Sequence, residues 1–198
     1  MDLIDFREAY CQSPDFRHLA VPFHYYVPGR GSERPKVMLL GEAPGALENN
    51  ERKPFVGASG RVLGGLMELA GLYADADGAA QFANNTYITN TVKFRPPGNR
   101  TPTKEEIHKS KPWIAKEWKI LRRPPVIVTV GAVPLACAGA RWGNLSQYIA
   151  QPFKTRNGNV TIWPMYHPAY ALRNPPIRPR CEEHWQALGA WLQEEGLL

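Results

Sequence analysis

Six consecutive residues, Val126-Ile127-Val128-Thr129-Val130-Gly131, constrain the fold of this chain more than any other feature. The run is apolar or β-branched without a break and lacks the alternation of a strand with one wet face. Such a segment belongs in a sheet covered on both sides. Three further short apolar runs read as its partner strands: Val37 to Gly41, Thr86 to Asn90, and Val160 to Pro164. Helical patterns fill the intervals. Ser59 can cap a helix with Val62, Leu66, Leu69 and Ala70 on one face, and Thr103 with Glu106 suits a capping box ahead of Ile107, Ile114, Trp118 and Leu121. Trp185, Leu188 and Leu192 predict a last helix from about Glu182 to Glu195. Strands alternating with helices predict an α/β chain, a three-layer α/β/α sandwich around a central four-stranded, mostly parallel sheet. At 198 residues the expectation is one domain over 1–198 with a substantial core.

Open sheets of this kind bind ligands beyond the carboxyl ends of their strands. Here those ends lead into GEAPG, TVKFRPPGNR and MYHPAYALRNPP, segments too rich in Gly, Pro, Asn and Arg to build a core. Function is expected in these loops. A formal charge of +6 favours a polyanionic partner, although the balance alone does not distinguish one. The first ten residues, MDLIDFREAY, contain acidic groups and no apolar core run, so no signal peptide is expected. No stretch is long enough to span a bilayer, so a soluble, intracellular, cytoplasmic protein is expected. Nothing requires a partner subunit, and a monomer is expected. Cys11, Cys137 and Cys181 are too few and too scattered for a disulfide framework or an all-cysteine metal site.

Each loop carries a chemical possibility. Gly41-Glu42-Ala43-Pro44-Gly45 combines two glycines that permit close backbone approach with a proline that stiffens the turn. It has neither the Gly-Lys-Ser/Thr of a phosphate loop nor the spacing of a dinucleotide fingerprint. Phe55, between a rigid proline and small residues, can present a flat ring to a planar ligand or pack in the core. Asn90 offers a donor and an acceptor in one planar amide. Held in place, it can accept an edge that shows an acceptor beside a donor and refuse the reverse arrangement. Lys93, Arg95 and Arg100 flank a stiff path through Pro96, Pro97, Gly98 and Asn99 and suit phosphate contact, with solvated surface charge as the plain alternative. His167 follows the fourth strand in a loop rather than on an apolar helical face. It has no second or third ligand at useful spacing, and His18, His24, His108 and His184 read as surface or local hydrogen-bonding residues. Beyond it, Leu172 and Arg173 occupy a loop where an apolar side chain could enter a duplex beside a phosphate-binding arginine.

In order along the chain, GEAPG, PFVGASG, TNTVKFRPPGNRTP, VIVTVGA and MYHPAYALRNP resemble the uracil-DNA glycosylase superfamily, in particular its family 4. The resemblance spans nearly the whole sequence. It implies an enzyme of base-excision repair that binds uracil-containing DNA, flips deoxyuridine out of the stack and hydrolyses its glycosidic bond. Carried over residue by residue, it implies that Phe55 stacks on uracil, that Asn90 reads the Watson–Crick edge, and that Gly41, Ala43 and Gly45 shape the floor. It implies that His167 donates to O2, that Asn99 holds the attacking water or the sugar, and that Glu42 and Glu48 influence activity. Lys93, Arg95, Arg100, Leu172 and Arg173 would meet DNA. Ala43 stands where better-known members of the superfamily place a water-orienting aspartate.

The resemblance also implies four cysteines around an iron-sulfur cluster, and here this sequence departs from it. Cys11 can stand for the first, but Pro14, Phe94 and Ser110 replace the others. One thiolate cannot hold such a cluster, so no cofactor and no metal are expected, with apolar packing around Phe94 holding the region instead. Two other readings share the same residues: a catalytically weak or inactive protein that binds uracil or damaged DNA, and a small-molecule hydrolase built on the same sheet ends.

Overall fold

The structure is a computed structural model that describes residues 1–76, 79–82, 85–139, 145–156 and 158–198. Helix α1 (Leu3–Gln12) opens on a capping box formed by Asp2 and Asp5. Strand β1 (Arg30–Gly31), strand β2 (Val37–Gly41), helix α2 (Ala46–Glu51) and helix α3 (Ala58–Leu69) follow. Next come a separate antiparallel pair, β3 (Tyr73–Ala76) with β4 (Ala79–Phe82), then β5 (Thr86–Asn90) and the long helix α4 (Lys104–Ile120). The chain continues through β6 (Val126–Val130), α5 (Ala132–Cys137), α6 (Leu145–Tyr148), β7 (Phe153–Lys154), β8 (Thr161–Met165), α7 (Pro168–Arg173) and α8 (Arg178–Glu194).

The central sheet has six strands in the order β1-β5-β2-β6-β8-β7, which corrects the expected four. The four inner strands are those read from the sequence, and all are mutually parallel. The two that the sequence concealed are antiparallel edges of two residues each, Arg30–Gly31 against β5 and Phe153–Lys154 against β8. Two residues carry no periodicity, so only their pairing reveals them as strands. They also cap the sheet with short edges, which limits edge-to-edge association.

Side chains leave β2 alternately, and both directions are buried. Val37 and Leu39 join Leu63, Met67, Trp185, Leu188 and Leu192 beneath α3 and α8. Met38 and Leu40 join Tyr87, Ile114 and Leu121 beneath α4. Each such aliphatic side chain contributes roughly 1.5–3 kcal/mol relative to exposure, so a polar substitution on either face would disrupt a layer. This double burial is why the runs are continuously apolar.

Some boundaries moved. Helix α3 begins at Ala58 with Gly57 as its N-cap, so Ser59 lies inside it, and Leu69 is exposed rather than core-facing. The Thr103–Glu106 capping box forms as expected, with Glu106 N–H donating to Thr103 Oγ1 at 3.1 Å and Thr103 N–H donating to Glu106 Oε2 at 2.7 Å. The last helix starts earlier than expected, at Arg178, because Pro179 in its first turn is compatible with helical φ. Leu172 and Arg173, expected in a loop, lie in helix α7. The inner strands follow one another as β5-β2-β6-β8 across the sheet, so the winding reverses beside β2, the place where such sheets open a crevice.

Candidate active site

Beyond the carboxyl ends of β2, β5 and β8 lies a cleft of approximately 500 Å³. Glu42, Ala43, Gly45, Glu48, Phe55, Asn90, Asn99, Arg100, His167 and Arg173 all line it, so residues separated by more than a hundred positions meet in one place. Its floor is set by a close approach. A Cβ on Gly41 would run into both Asn90 Oδ1 and the ring of Phe55, so only glycine lets the amide and the ring converge there. Asn90 is 3% exposed, and Phe55 is half-buried on a left-handed backbone with φ 55°. A ring face beside a fixed amide edge suits a planar heterocycle.

Glu48 fastens this floor from below. Its Oε2 accepts from Gly45 N–H at 3.1 Å, and its Oε1 accepts from Val56 N–H at 3.1 Å and Gly57 N–H at 2.9 Å. The carboxylate therefore ties the first loop to the loop carrying Phe55, as far as Gly57, the N-cap residue of α3. With both oxygens engaged by backbone amides, Glu48 has a positioning task. Glu42, half-buried in the cleft, differs. Burial pushes its carboxyl above the ordinary range, opposed by a hydrogen bond with Thr101.

His167 is the N-cap of α7, and its Nδ1 accepts from Ala169 N–H at 3.2 Å. An Nδ1 that accepts leaves the proton of the neutral ring on Nε2. Burial, reinforced by the Arg173 cation, lowers its pKa to about 4, so the ring is neutral throughout the physiological range. Gly131, at the end of the VIVTVG run, sits against it. A Cβ there would lie 3.2 Å from His167 Cβ, and the glycine's φ of 106° is left-handed.

Lys93 requires a correction. Expected to meet phosphate, it is 0% exposed, and its ammonium donates to Glu117 Oε2 at 2.6 Å, to the Asn90 carbonyl at 2.9 Å and to Thr89 Oγ1. Glu117 is also bound by Tyr87 and Thr89 hydroxyls through its other oxygen. Lys93 thus steadies the backbone of Asn90 from beneath and reaches no solvent. Periodicity could not show this, because the chain bends after β5 and turns the side chain under the sheet end.

At the rim, Arg95 Nε donates to Asn99 Oδ1 at 2.6 Å, and Asn99 stands on a left-handed backbone with φ 55°. Arg100 forms a bidentate pair with Glu106, both bonds 2.8 Å, and Glu106 also bonds His18 Nε2 at 2.8 Å. Burial opposes the Glu106 charge, but the bonds from Arg100, His18 and Thr103 overcome it and hold the carboxyl at about 2. Arg100 is therefore committed to anchoring the PPGNR loop. Leu172 is 45% exposed and Arg173 is exposed at the end of α7. Thr101 and Ala169 line the cleft without having been singled out, Pro96 was read only as part of a stiff path, and Ser59 and Glu106 only as helix caps.

The region where the family resemblance would put iron-sulfur ligands does not fit such a cluster. Phe94 packs in an aromatic box with Phe6, Tyr10, Phe16, Tyr26 and Trp113, in which Tyr10 and Phe16 stack at 4.6 Å between centroids. Ser110 donates to Glu106 O at 2.8 Å, and Cys11 is exposed. Among the described residues no group of three or more His, Cys, Asp and Glu could hold a metal ion. Nor is any helix among them long and apolar enough to cross a membrane.

Residues 28–190 match the family described as the Uracil DNA glycosylase superfamily. The chain belongs to that superfamily. It is 36% identical over 167 residues to the Type-4 uracil-DNA glycosylase of Saccharolobus solfataricus, covering 81% of this chain and 73% of the relative. Against the Type-4 uracil-DNA glycosylase of Archaeoglobus fulgidus the figures are 31% over 170 residues, with 83% and 80% covered. A Type-5 uracil-DNA glycosylase of Thermus thermophilus is 34% identical over 133 residues, covering 65% of this chain and 59% of the relative. Every cleft-lining residue of this superfamily member lies within the matched span.

Proposed function

We propose that the chain, acting as a cytoplasmic monomer, excises uracil from DNA by hydrolysing the N-glycosidic bond of deoxyuridine and leaves an abasic site. The convergence of Asn90 and Phe55 over Gly41 is the observation that carries this reading, and the family membership agrees with it. Phe55 stacks on the flipped base. The Asn90 amide meets uracil O4 and N3–H, an acceptor beside a donor; cytosine presents the reverse and would leave buried polar groups unpaired.

Bond breaking leads. The N1–C1′ electron pair departs with uracil, and charge gathers on O2, where His167 Nε2–H donates. A neutral donor already in place stabilises that charge without reorganisation. Water adds to C1′ of the oxocarbenium-like sugar and passes a proton to the Glu42 carboxylate, which returns it through solvent to the released uracil anion. With Ala43 in place of an aspartate, the half-buried Glu42 in the cleft orients that water, since Glu48 is tied by three backbone N–H groups. Arg95 and Arg173 meet phosphates, and Leu172 fills the space that the flipped nucleotide vacates.

The test is a uracil-containing oligonucleotide incubated with the protein and then treated with alkali. Strand scission at the uracil, absent with cytosine or thymine there, is the expected result. Binding without scission by folded protein at high concentration would leave a damage-binding protein and refute the enzyme. Turnover of a free nucleoside without DNA binding would point to a small-molecule hydrolase.

A further inference from the structure

The segment Val21–Tyr25 carries no motif, yet the fold brings it to the working end of the sheet. Strand β1 runs antiparallel to β5 with Arg30 opposite Ile88, and Val27 N–H donates to Lys93 O at 2.9 Å. Followed backwards from Arg30, the chain therefore tracks β5 past its carboxyl end, where the cleft lies. Asn49 then clamps the segment from both sides: its Nδ2 donates to Phe23 O at 2.9 Å, and its Oδ1 accepts from Tyr25 N–H at 2.8 Å. Asn49 is buried and adjoins Glu48 in α2, the helix that starts from the cleft's first loop.

Although its backbone is clamped, Phe23 is 81% exposed and stands on a left-handed backbone with φ 65°. An outward phenyl ring on strained backbone gives the core nothing. Beside it, the part-exposed Tyr25 ring carries the Arg52 guanidinium 4.5 Å from its centroid, and exposed Lys53 follows. A bare aromatic face next to cations matches a nucleobase and its phosphate, because every base offers a π-face and every linkage a negative charge.

We propose that Phe23, Tyr25 and Arg52 form a landing surface for the DNA strand leaving the cleft, with Phe23 stacking on a base two or more nucleotides from the flipped one and Arg52 meeting a phosphate. The proposal rests on the reading of the cleft as a uracil pocket and adds a second contact outside it. Arg52 and Lys53 stand beside the rings, and the surface adjoins the cleft through α2, which favours a nucleic acid strand over a second protein.

Two substrates separate the contact from the pocket: a single-stranded uracil-containing 20-mer and a trinucleotide with central deoxyuridine. Phe23→Ala should lower kcat/KM on the 20-mer by about tenfold, mainly through KM, because one base-stacking contact is lost. The trinucleotide, too short to reach the surface, should lose no more than about twofold by the same reasoning. Phe23→Trp should retain wild-type values on both, and Arg52→Ala should reduce the salt dependence of binding by about one phosphate contact. Equal losses on both substrates, or none on the 20-mer, would overturn the proposal. If wild-type protein excises neither substrate, the cleft reading fails by itself, and fluorescence anisotropy of the labelled 20-mer still decides this one. Weaker binding by Phe23→Ala supports the landing surface, and unchanged binding refutes it. A dimer that Phe23→Ala dissolves, with DNA binding unchanged, would assign the surface to a second copy of the chain.

Discussion

At the floor of the cleft, Asn90, Lys93 and Glu48 are buried; Lys93 and Glu48 are engaged by backbone and side-chain partners, and Lys93 holds the Asn90 carbonyl. At the rim, Arg95, Asn99, Leu172 and Arg173 face water, and Arg95 and Asn99 share a single hydrogen bond. The contrast separates two tasks. Buried polar groups gain strength from the low local dielectric and fix geometry, so under the proposed function the floor is the part that would discriminate between bases and support chemistry. Exposed charges are screened by salt and act over distance, so under the proposed function the rim would capture DNA without reading it. Arg100 belongs with the floor in this respect, since its guanidinium is spent on Glu106.

Substitutions can break this contrast, and the deepest should act most strongly. Lys93→Met strands the Glu117 carboxylate without a countercharge, and loss of one buried partner costs about 3–5 kcal/mol. Urea unfolding should show that loss, and Lys93→Met combined with Glu117→Leu should recover most of it. Full stability in the single variant would mean that Lys93 is not a buried anchor.

Next in size is His167→Ala. Removing a preorganised donor should lower kcat by about 10²–10³-fold, with the Kd for uracil-containing DNA little changed. Equal losses in kcat and binding would make the residue structural. The pH profile gives an independent check. Because burial holds His167 at about 4, its neutral form persists as pH falls through the usual histidine range. Its contribution to kcat should therefore stay flat from pH 8 to 5 and fall only as pH drops through about 4. A limb near the ordinary value of 6.5 would show that the ring is solvated.

Asn90→Asp removes the donor that meets O4 while keeping an acceptor. Discrimination against cytosine should narrow by roughly tenfold or more, the worth of about 1–3 kcal/mol from one unsatisfied buried group. Paired assays on uracil- and cytosine-containing strands would measure it. The smallest effect is expected at the rim. Arg95→Ala or Arg173→Ala should weaken DNA binding evenly across sequences and reduce its salt slope by about one contact, with selectivity for uracil unchanged. A change in selectivity instead would place that arginine with the floor.

Much of this architecture was legible in the sequence for a physical reason. The inner strands announce themselves because both of their faces are dry. The first loop, Asn90 and His167 stand out because glycine, proline and polar side chains at strand ends do not build an apolar core, and Phe55 because it stands between a proline and small residues outside helical periodicity. Edge strands β1 and β7 were not legible, because two residues have no period and their identity lies in the partner.

The sharpest divide falls between Lys93 and Phe94, neighbours in the TVKFRPPGNR segment. Composition treats the lysine as one more cation on a basic loop, yet the bend after β5 turns it beneath Asn90 to pair with Glu117 from the last turn of α4. Phe94 turns instead into the aromatic box with Tyr10 and Phe16, where its replacement of a cysteine is matched by packing. By itself, the sequence determined which segments would meet at the sheet ends and which chemical types they would bring. Tertiary structure alone decided that Glu48 is a staple, that Lys93 is a buried anchor, that His167 is neutral and that Phe23 is left bare. Each of these depends on what surrounds the side chain in space, and burial and partnership come from residues far away in the chain.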